Sequence, residues 1–316
     1  MSTVTTNVDS ARQPQPARPV PKELVHKHHA CQVLLKDWRR NADGTFSIPV
    51  DWHRATDSFA PLFGHISPAL LVETVRQSFP LLAHVGHEVP LGHHLLWDEF
   101  RYTCTPSALR AVVQRAPQDV ELHVTCTEAQ YRGKRASFLA FDIDVLADGV
   151  PLAHAHSRFP VLAPAVYRRI RPDAGDGREV MARAVPLPPP LPHQPLGVAE
   201  FHDVALSPTD RPQEWLLRVD VHHPFYFDHP VDHAPGTLLL EAARQAAQEL
   251  HPRLTVIPAG QQALFSRYVE LDQPCTVTAE PAGEDDAGRP VAHVRMVQSG
   301  QECFRSSLTL ADAQQR

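Results

Sequence analysis

The sequence predicts an α+β fold built twice, each copy one helix laid against an antiparallel sheet. Two observations carry this. Residues 65–77 and 233–245 align at a shift of 168, with His65/His233, Leu70/Leu238, Leu71/Leu239, Glu73/Glu241, Arg76/Arg244 and Gln77/Gln245 identical. Average composition would give on the order of one match over such a stretch, so the chain reads as an internal duplication. Each aligned segment is also followed by alternating or β-rich runs joined by Gly/Asp turns, among them VELHVTCTEAQ, SFLAFDIDVLADG, QPCTVTAEPAG and RPVAHVRMVQSG. Period-two alternation of this kind is the mark of half-buried strands.

Length and composition agree. The chain has 316 residues, against about 150 for a typical domain. Its 43% hydrophobic and 21% charged residues are those of a globular protein. A net charge of −6 argues against a nucleic-acid-coating surface, which needs a basic excess. No apolar run approaches the roughly 18 residues of a membrane span, and the first residues lack a secretory core. The five cysteines are scattered with no C-x-x-C pair, as in reduced, half-buried residues of a cytoplasmic protein.

In chain order, residues 1–20 are polar and Pro-bearing and read as a disordered leader. A first unit spans 21–163. It opens with LVHKHHACQVLL, whose short apolar runs are rich in strand formers. Its helix begins at Ser67-Pro68, an N-cap followed by a first-turn proline, and is expected to stop near Phe79 because Pro80 follows. Residues 164–197, with PLPPPLPHQP, read as a semi-rigid Pro-rich linker. The second unit, 198–313, has its helix from Thr237 to Leu250, entered through Pro235-Gly236 and followed by Pro252. Phe100-Arg101-Tyr102 has a loose counterpart in Phe265-Ser266-Arg267-Tyr268.

On both helices Glu, Arg and Gln stand at i, i+3 and i+4 and share a face. The plain alternative is a solvated ion-pair stripe of little energetic weight. Its recurrence in both halves, each time after a His- and Pro-bearing loop, favours a helix wrapped by sheet. Its carboxylate would then be buried, raised in pKa and available for function.

The run His223-Pro224-Phe225-Tyr226-Phe227-Asp228-His229-Pro230-Val231-Asp232-His233-Ala234-Pro235-Gly236, continued by LLLEAARQ, resembles the loop and central helix of hotdog-fold acyl-thioester enzymes. With VPKELVHKHHACQVLL, PALLVETVRQ and the duplicated layout it is most similar to the AfsA family of γ-butyrolactone (A-factor type) signal biosynthesis, over nearly all of residues 20–313. The resemblance implies a tandem (double) hotdog. It also implies transfer of a β-ketoacyl group from acyl carrier protein to the hydroxyl of dihydroxyacetone phosphate, giving an ester that closes to a butenolide. Alternatives on the same fold are a dehydratase, a thioesterase or a non-catalytic acyl-ligand-binding regulator.

Acyl transfer needs a base, oxyanion donors and a cation for phosphate. Within the resemblance, His229 is the base, because imidazole exchanges a proton near neutral pH. Glu241 or, across the pseudo-twofold, Glu73 is its carboxylate partner. Gly236, at the helix start, offers N–H groups to the thioester carbonyl. Arg76, Arg244 and Arg267 are phosphate candidates, and Gln77, Gln245, Asp228 and His233 are expected to contact substrate. Pro61 stands where the second half has His229, and Ser67-Pro68 replaces Pro235-Gly236, so one competent and one degenerate site are expected. His154/His156, His26/His28/His29 and His93/His94 lack carboxylate or Cys at metal spacing, so neither metal nor other cofactor is expected. Lys22, Lys27, Lys36, Arg39 and Arg40 form a mild basic cluster, read as a solvated face that an acidic carrier would approach. The oligomeric expectation is a monomer with a pseudo-dimeric core, or a homodimer.

Overall fold

The computed structural model describes residues 19–55, 59–115, 119–172, 175–251 and 255–314. Most of the leader expected at 1–20, and Pro252, lie outside them. The first half contains β1 (Arg39–Arg40), β2 (Phe46–Val50), α1 (Pro68–His87), β3 (His94–Leu95), β4 (Glu99–Cys104), α2 (Pro106–Arg115), β5 (Val120–Arg132), β6 (Arg135–Ala147) and β7 (Val150–Leu162). Two short helices follow, α3 (Pro164–Ile170) and α4 (Gly177–Ala182). The second half has β8 (Leu206–Pro208), β9 (Glu214–Leu217), α5 (Gly236–Glu249), β10 (Val256–Phe265), β11 (Cys275–Glu284), β12 (Pro290–Gln298) and β13 (Gln301–Asp312).

One antiparallel sheet runs through the molecule in the order β1-β2-β5-β6-β7-β4-β10-β13-β12-β11-β9-β8, with β3 paired to β7. The order is palindromic about the β4–β10 seam, where Phe100 pairs with Ala263 and Tyr102 with Gln261. Each half is thus a hotdog, a sheet wrapped on one helix, and the chain is a double hotdog. The supposed match of Phe100-Arg101-Tyr102 with Phe265–Tyr268 does not follow this symmetry. The first triplet lies within β4, whereas Arg267 and Tyr268 lie in the loop beyond β10.

Both helices are buried on nearly every side. Leu71, Val75, Leu81 and Leu82 of α1 and Leu238, Ala242, Ala243, Ala246 and Ala247 of α5 form the core with Phe100, Phe141, Phe159 and Phe304. The small residues of α5 let the sheet close onto it. Contrary to the expected stop at Phe79, α1 continues through Pro80 to His87. Proline there removes the N–H that would bond the Arg76 carbonyl, at about 3 kcal/mol. The next three residues, Leu81, Leu82 and Ala83, are fully buried, and each leucine recovers about 2 kcal/mol. Ser67 occupies the N-cap position but makes no side-chain cap hydrogen bond.

Two further segments depart from expectation. LVHKHHACQVLL forms 3-10 turns at Lys22–Val25 and Ala30–Gln32 rather than strands, because it folds under α1 and not along the sheet. Residues 164–197 are more than a linker. They include α3 and α4, and the proline run is pinned where Pro188 and Pro189 carbonyls accept from Arg218 Nε and Ser207 Oγ. All five cysteines are free: Cys31 is exposed, Cys104 and Cys126 half-buried, Cys275 and Cys303 buried. Among the described residues no helix is long and apolar enough to cross a membrane.

Candidate active site

The matched helix stripes do the same structural work in both halves. Gln77 Oε1 accepts the Leu34 N–H and its Nε2 donates to the Gln32 carbonyl; Gln245 does the same with Ala205 and Asp203. Arg76 donates to Glu73 and reaches the Val25 carbonyl, as Arg244 does with Glu241 and Leu196. Both glutamines are fully buried. They tie each helix to the segment crossing beneath it, since a buried backbone group left unpaired is costly. These bonds relate the crossing segments by a shift of 171, and at that shift the halves diverge chemically.

Lys27 of the first half corresponds to Val198 of the second. Its ammonium is buried between two carboxylates, 3.6 Å from Glu73 Oε1 and 3.7 Å from Asp228 Oδ2. The basic-cluster reading therefore does not hold for Lys27, and Lys22 is bonded to the His28 carbonyl. Burial pushes the Glu73 carboxyl up, but Arg76 and Lys27, with hydrogen bonds from Arg76 and Gln77, outweigh it and hold the pKa at about 2. Glu73 is an anionic anchor, not the raised carboxyl expected from burial alone.

Asp228 links the two halves. Its Oδ2 accepts the His28 N–H at 2.8 Å, and Oδ1 takes the Nδ1 hydrogen of His229 at 2.6 Å. Burial opposes its ionisation, yet the His229 hydrogen bond and Lys27 hold its pKa well below the usual carboxylate range. This fixes His229 with Nδ1 toward Asp228, while Nε2 meets no partner among the described residues. The side chain of His229 is 43% exposed, against 3% for Asp228, so the imidazole is presented and its carboxylate concealed.

His229 opens into a cavity of about 1350 Å³ lined from both halves. The first half contributes Lys27, Glu73 and Arg76 to the lining and the second half Asp228, His229, His233 and Gly236, and the two sets meet at the Lys27–Asp228 ion pair. The apolar floor includes Phe79, Trp97, Phe159 and Phe265, with Trp97 stacked on Phe265 at 5.1 Å. Gly236 begins α5 with no side-chain cap on that helix. A Cβ there would come within 2.5 Å of the Trp97 ring, so only glycine lets the aromatic floor meet the helix start. A second Asp–His pair lies four residues on: His233 Nδ1 to Asp232 Oδ1 at 2.7 Å. Asp232 is further engaged by the Tyr167 hydroxyl and by Arg171, which also pairs with Glu270.

Of the residues expected to act, His229, Glu73, Arg76, Asp228, His233, Arg267 and Gly236 line this cavity. Glu241, Arg244, Gln245 and Gln77 do not. The Glu241–Arg244 pair instead neighbours the phenols of buried Tyr102 and of half-buried Tyr226, itself a lining residue, each pushed up by desolvation and then by nearby charges including Glu241. In the first half Ala60-Pro61 replaces Asp228-His229, and Gly197 packs against Leu62 and Phe63. Lys27, His26, Tyr167 and Arg171 line the cavity as well, beyond the residues to which the sequence motifs point. His154 and His156 of β7 bond Asp144 and Asp142 of the neighbouring β6. His202, Asp203 and His223 bring ligand atoms within 4.8 Å of one another outside the cavity lining.

His26 could have been noticed from its repeat partner. It adopts φ 54°, where its counterpart at the shift of 171 is Gly197 at φ 72°. Its Nε2 lies 3.0 Å from His84 Nε2. Burial, then His84 and Arg76, lower its pKa to about 3 from an ordinary 6.5. The unfolded chain binds a proton below pH 6.5 that the fold does not, so stability falls as pH drops from about 6.5 towards 3. The slope is about 1.4 kcal/mol per pH unit. Between pH 7.5 and 5.0, His26→Gly is expected to lose about 2 kcal/mol less than the wild type in urea unfolding. Equal losses in the two proteins would remove His26 as the source.

Two wrapped helices, a β4–β10 seam and a cavity shared between halves define a double-hotdog protein. The chain belongs to the AfsA family: the profile of the A-factor biosynthesis hotdog domain matches residues 8–163 and 183–311. The 2-oxo-3-(phosphooxy)propyl 3-oxoalkanoate synthase of Streptomyces virginiae is 41% identical over 85% of this chain and 90% of its own length. The proteins of that name from Streptomyces coelicolor and Streptomyces griseus are 33% and 34% identical, over 93% and 92% of this chain and 92% and 95% of theirs.

Proposed function

We propose that this chain is a 2-oxo-3-(phosphooxy)propyl 3-oxoalkanoate synthase, an acyltransferase that moves a β-ketoacyl group from a carrier thioester to dihydroxyacetone phosphate. The observation that carries it is an Asp228–His229 pair open to a cavity with an apolar floor, in a chain 41% identical to a protein of that name. His229 Nε2 takes the hydroxyl proton of dihydroxyacetone phosphate as its oxygen attacks the thioester carbon. Asp228 steadies the resulting imidazolium. The oxyanion meets the uncapped N–H groups at Gly236 and Thr237, where the α5 dipole favours negative charge. The C–S bond then breaks, and the imidazolium returns its proton to the leaving thiolate.

The exposed Arg267 offers its guanidinium fork to the phosphate, and half-buried Arg76, whose Nε and Nη2 are taken by Glu73, adds its remaining Nη1 edge. Arg244 is excluded from that role by its burial against Glu241. The acyl chain lies along Phe79, Trp97 and Phe265. Both halves of one chain line the site. We place the enzyme in the cytoplasm, where both substrates are made and where free cysteines persist.

Incubation with a β-ketoacyl carrier thioester and dihydroxyacetone phosphate should yield the phosphorylated ester by mass spectrometry. Free acid without ester would make the protein a thioesterase, loss of water a dehydratase, and tight binding without turnover a ligand sensor.

A further inference from the structure

The helix α3 is built unlike the rest of the surface. Tyr167 alone is buried, stacked at 3.6 Å on His94 and hydrogen-bonded to Asp232, so the helix is anchored to the cavity wall by one aromatic side chain. Around that anchor Val166 and Ile170, one turn apart, are 46% and 53% exposed. Arg168 and Arg169 stand beside them, also exposed, and among the described residues neither pairs with a carboxylate. Arg168 and Ile170 border the cavity mouth. Residues 164–183 hold five arginines against three carboxylates, in a chain whose net charge is −6. Arg168 and Arg169 thus place two solvated positive charges beside the cavity, whose other lining arginines and lysine have acidic lining residues to balance them. Arg171, in contrast, is spent on Asp232 and Glu270 and holds the helix in place.

We infer that the exposed face of α3 is the docking surface for an acidic carrier protein, which lays its negative helix across Arg168 and Arg169 and its apolar contact on Val166 and Ile170. The thioester arm then passes the mouth beside Arg168 and delivers its carbonyl towards Gly236. This rests on the proposed carrier-bound donor and adds the place where that donor is held. Charge complementarity selects the occupant: an uncharged or basic partner gains nothing from unpaired arginines flanking two apolar side chains. The apolar pair supplies contact area that a small thioester would not use.

The test compares two donors of the same acyl group, one on the carrier protein and one on pantetheine, with wild type and Val166→Ser/Arg169→Glu, two positions of the docking face that do not line the cavity. The double variant is expected to raise KM for the carrier-bound donor at least about tenfold and to weaken its rise with ionic strength, because rim charges act on encounter. Its kinetics with the pantetheine donor should match wild type, which also shows that the variant is folded. An unchanged KM for the carrier donor would overturn the docking surface while leaving the proposed function intact. A wild type that uses only the small donor would overturn the carrier reading itself, and the docking surface with it.

Discussion

His229→Ala is expected to lower kcat for ester formation about 10³-fold, within the usual range for losing a positioned base, and to leave the fold undisturbed. The exposed imidazole is held by one hydrogen bond and supports no core residue. Asp228→Asn should lose nearly as much by a different route. The carboxamide cannot stabilise the imidazolium, and its NH₂ group can present a donor to Nδ1, turning the ring's proton towards the substrate side. Unlike His229→Ala, it also strips a buried counter-charge from Lys27, so it should melt earlier. Rates measured at saturating donor and acceptor, beside thermal midpoints, separate the two. A His229→Ala enzyme that forms ester at the wild-type rate would remove the base from this mechanism.

Much of the fold was legible because the repeat is written in side chains. Six identities in thirteen positions set the two helices in register, and strand alternation supplied the sheet. The roles within the stripe were not legible. Gln77 and Gln245 resemble substrate ligands on paper, but their partners are backbone groups of Gln32, Leu34, Asp203 and Ala205, which carry no sequence signal. Lys27 sits among charged neighbours that imply solvent, and only the approach of Asp228, about two hundred positions away, makes it a buried bridge. Pro80 ends a helix in isolation, yet the core beyond it holds the helix together. At Lys27, the two glutamines and Pro80 the outcome depends on long-range contacts, where tertiary packing overrides local preference.

The two glutamates offer a matched experiment, because they have the same hydrogen-bonding neighbours and differ in one cation. Glu73→Gln strips the carboxylate from half-buried Arg76 and buried Lys27, and Glu241→Gln strips it from buried Arg244; each is expected to cost about 3 kcal/mol of stability. Their effects on catalysis should separate. Lys27 is shared almost equally between Glu73 and Asp228, so neutralising Glu73 drives the ammonium onto Asp228. Drawn into that ion pair, Asp228 weakens its hold on His229, and kcat should fall about 100-fold. Glu241 has Val198 where Glu73 has Lys27, and Ala60-Pro61 stands where its Asp–His pair would be. Its variant should therefore keep kcat within about twofold, although it unfolds as readily. Urea unfolding beside initial rates distinguishes the outcomes. Equal loss of kcat in both variants would mean that both halves act in catalysis, and equal retention would mean that the Lys27 bridge serves only the fold.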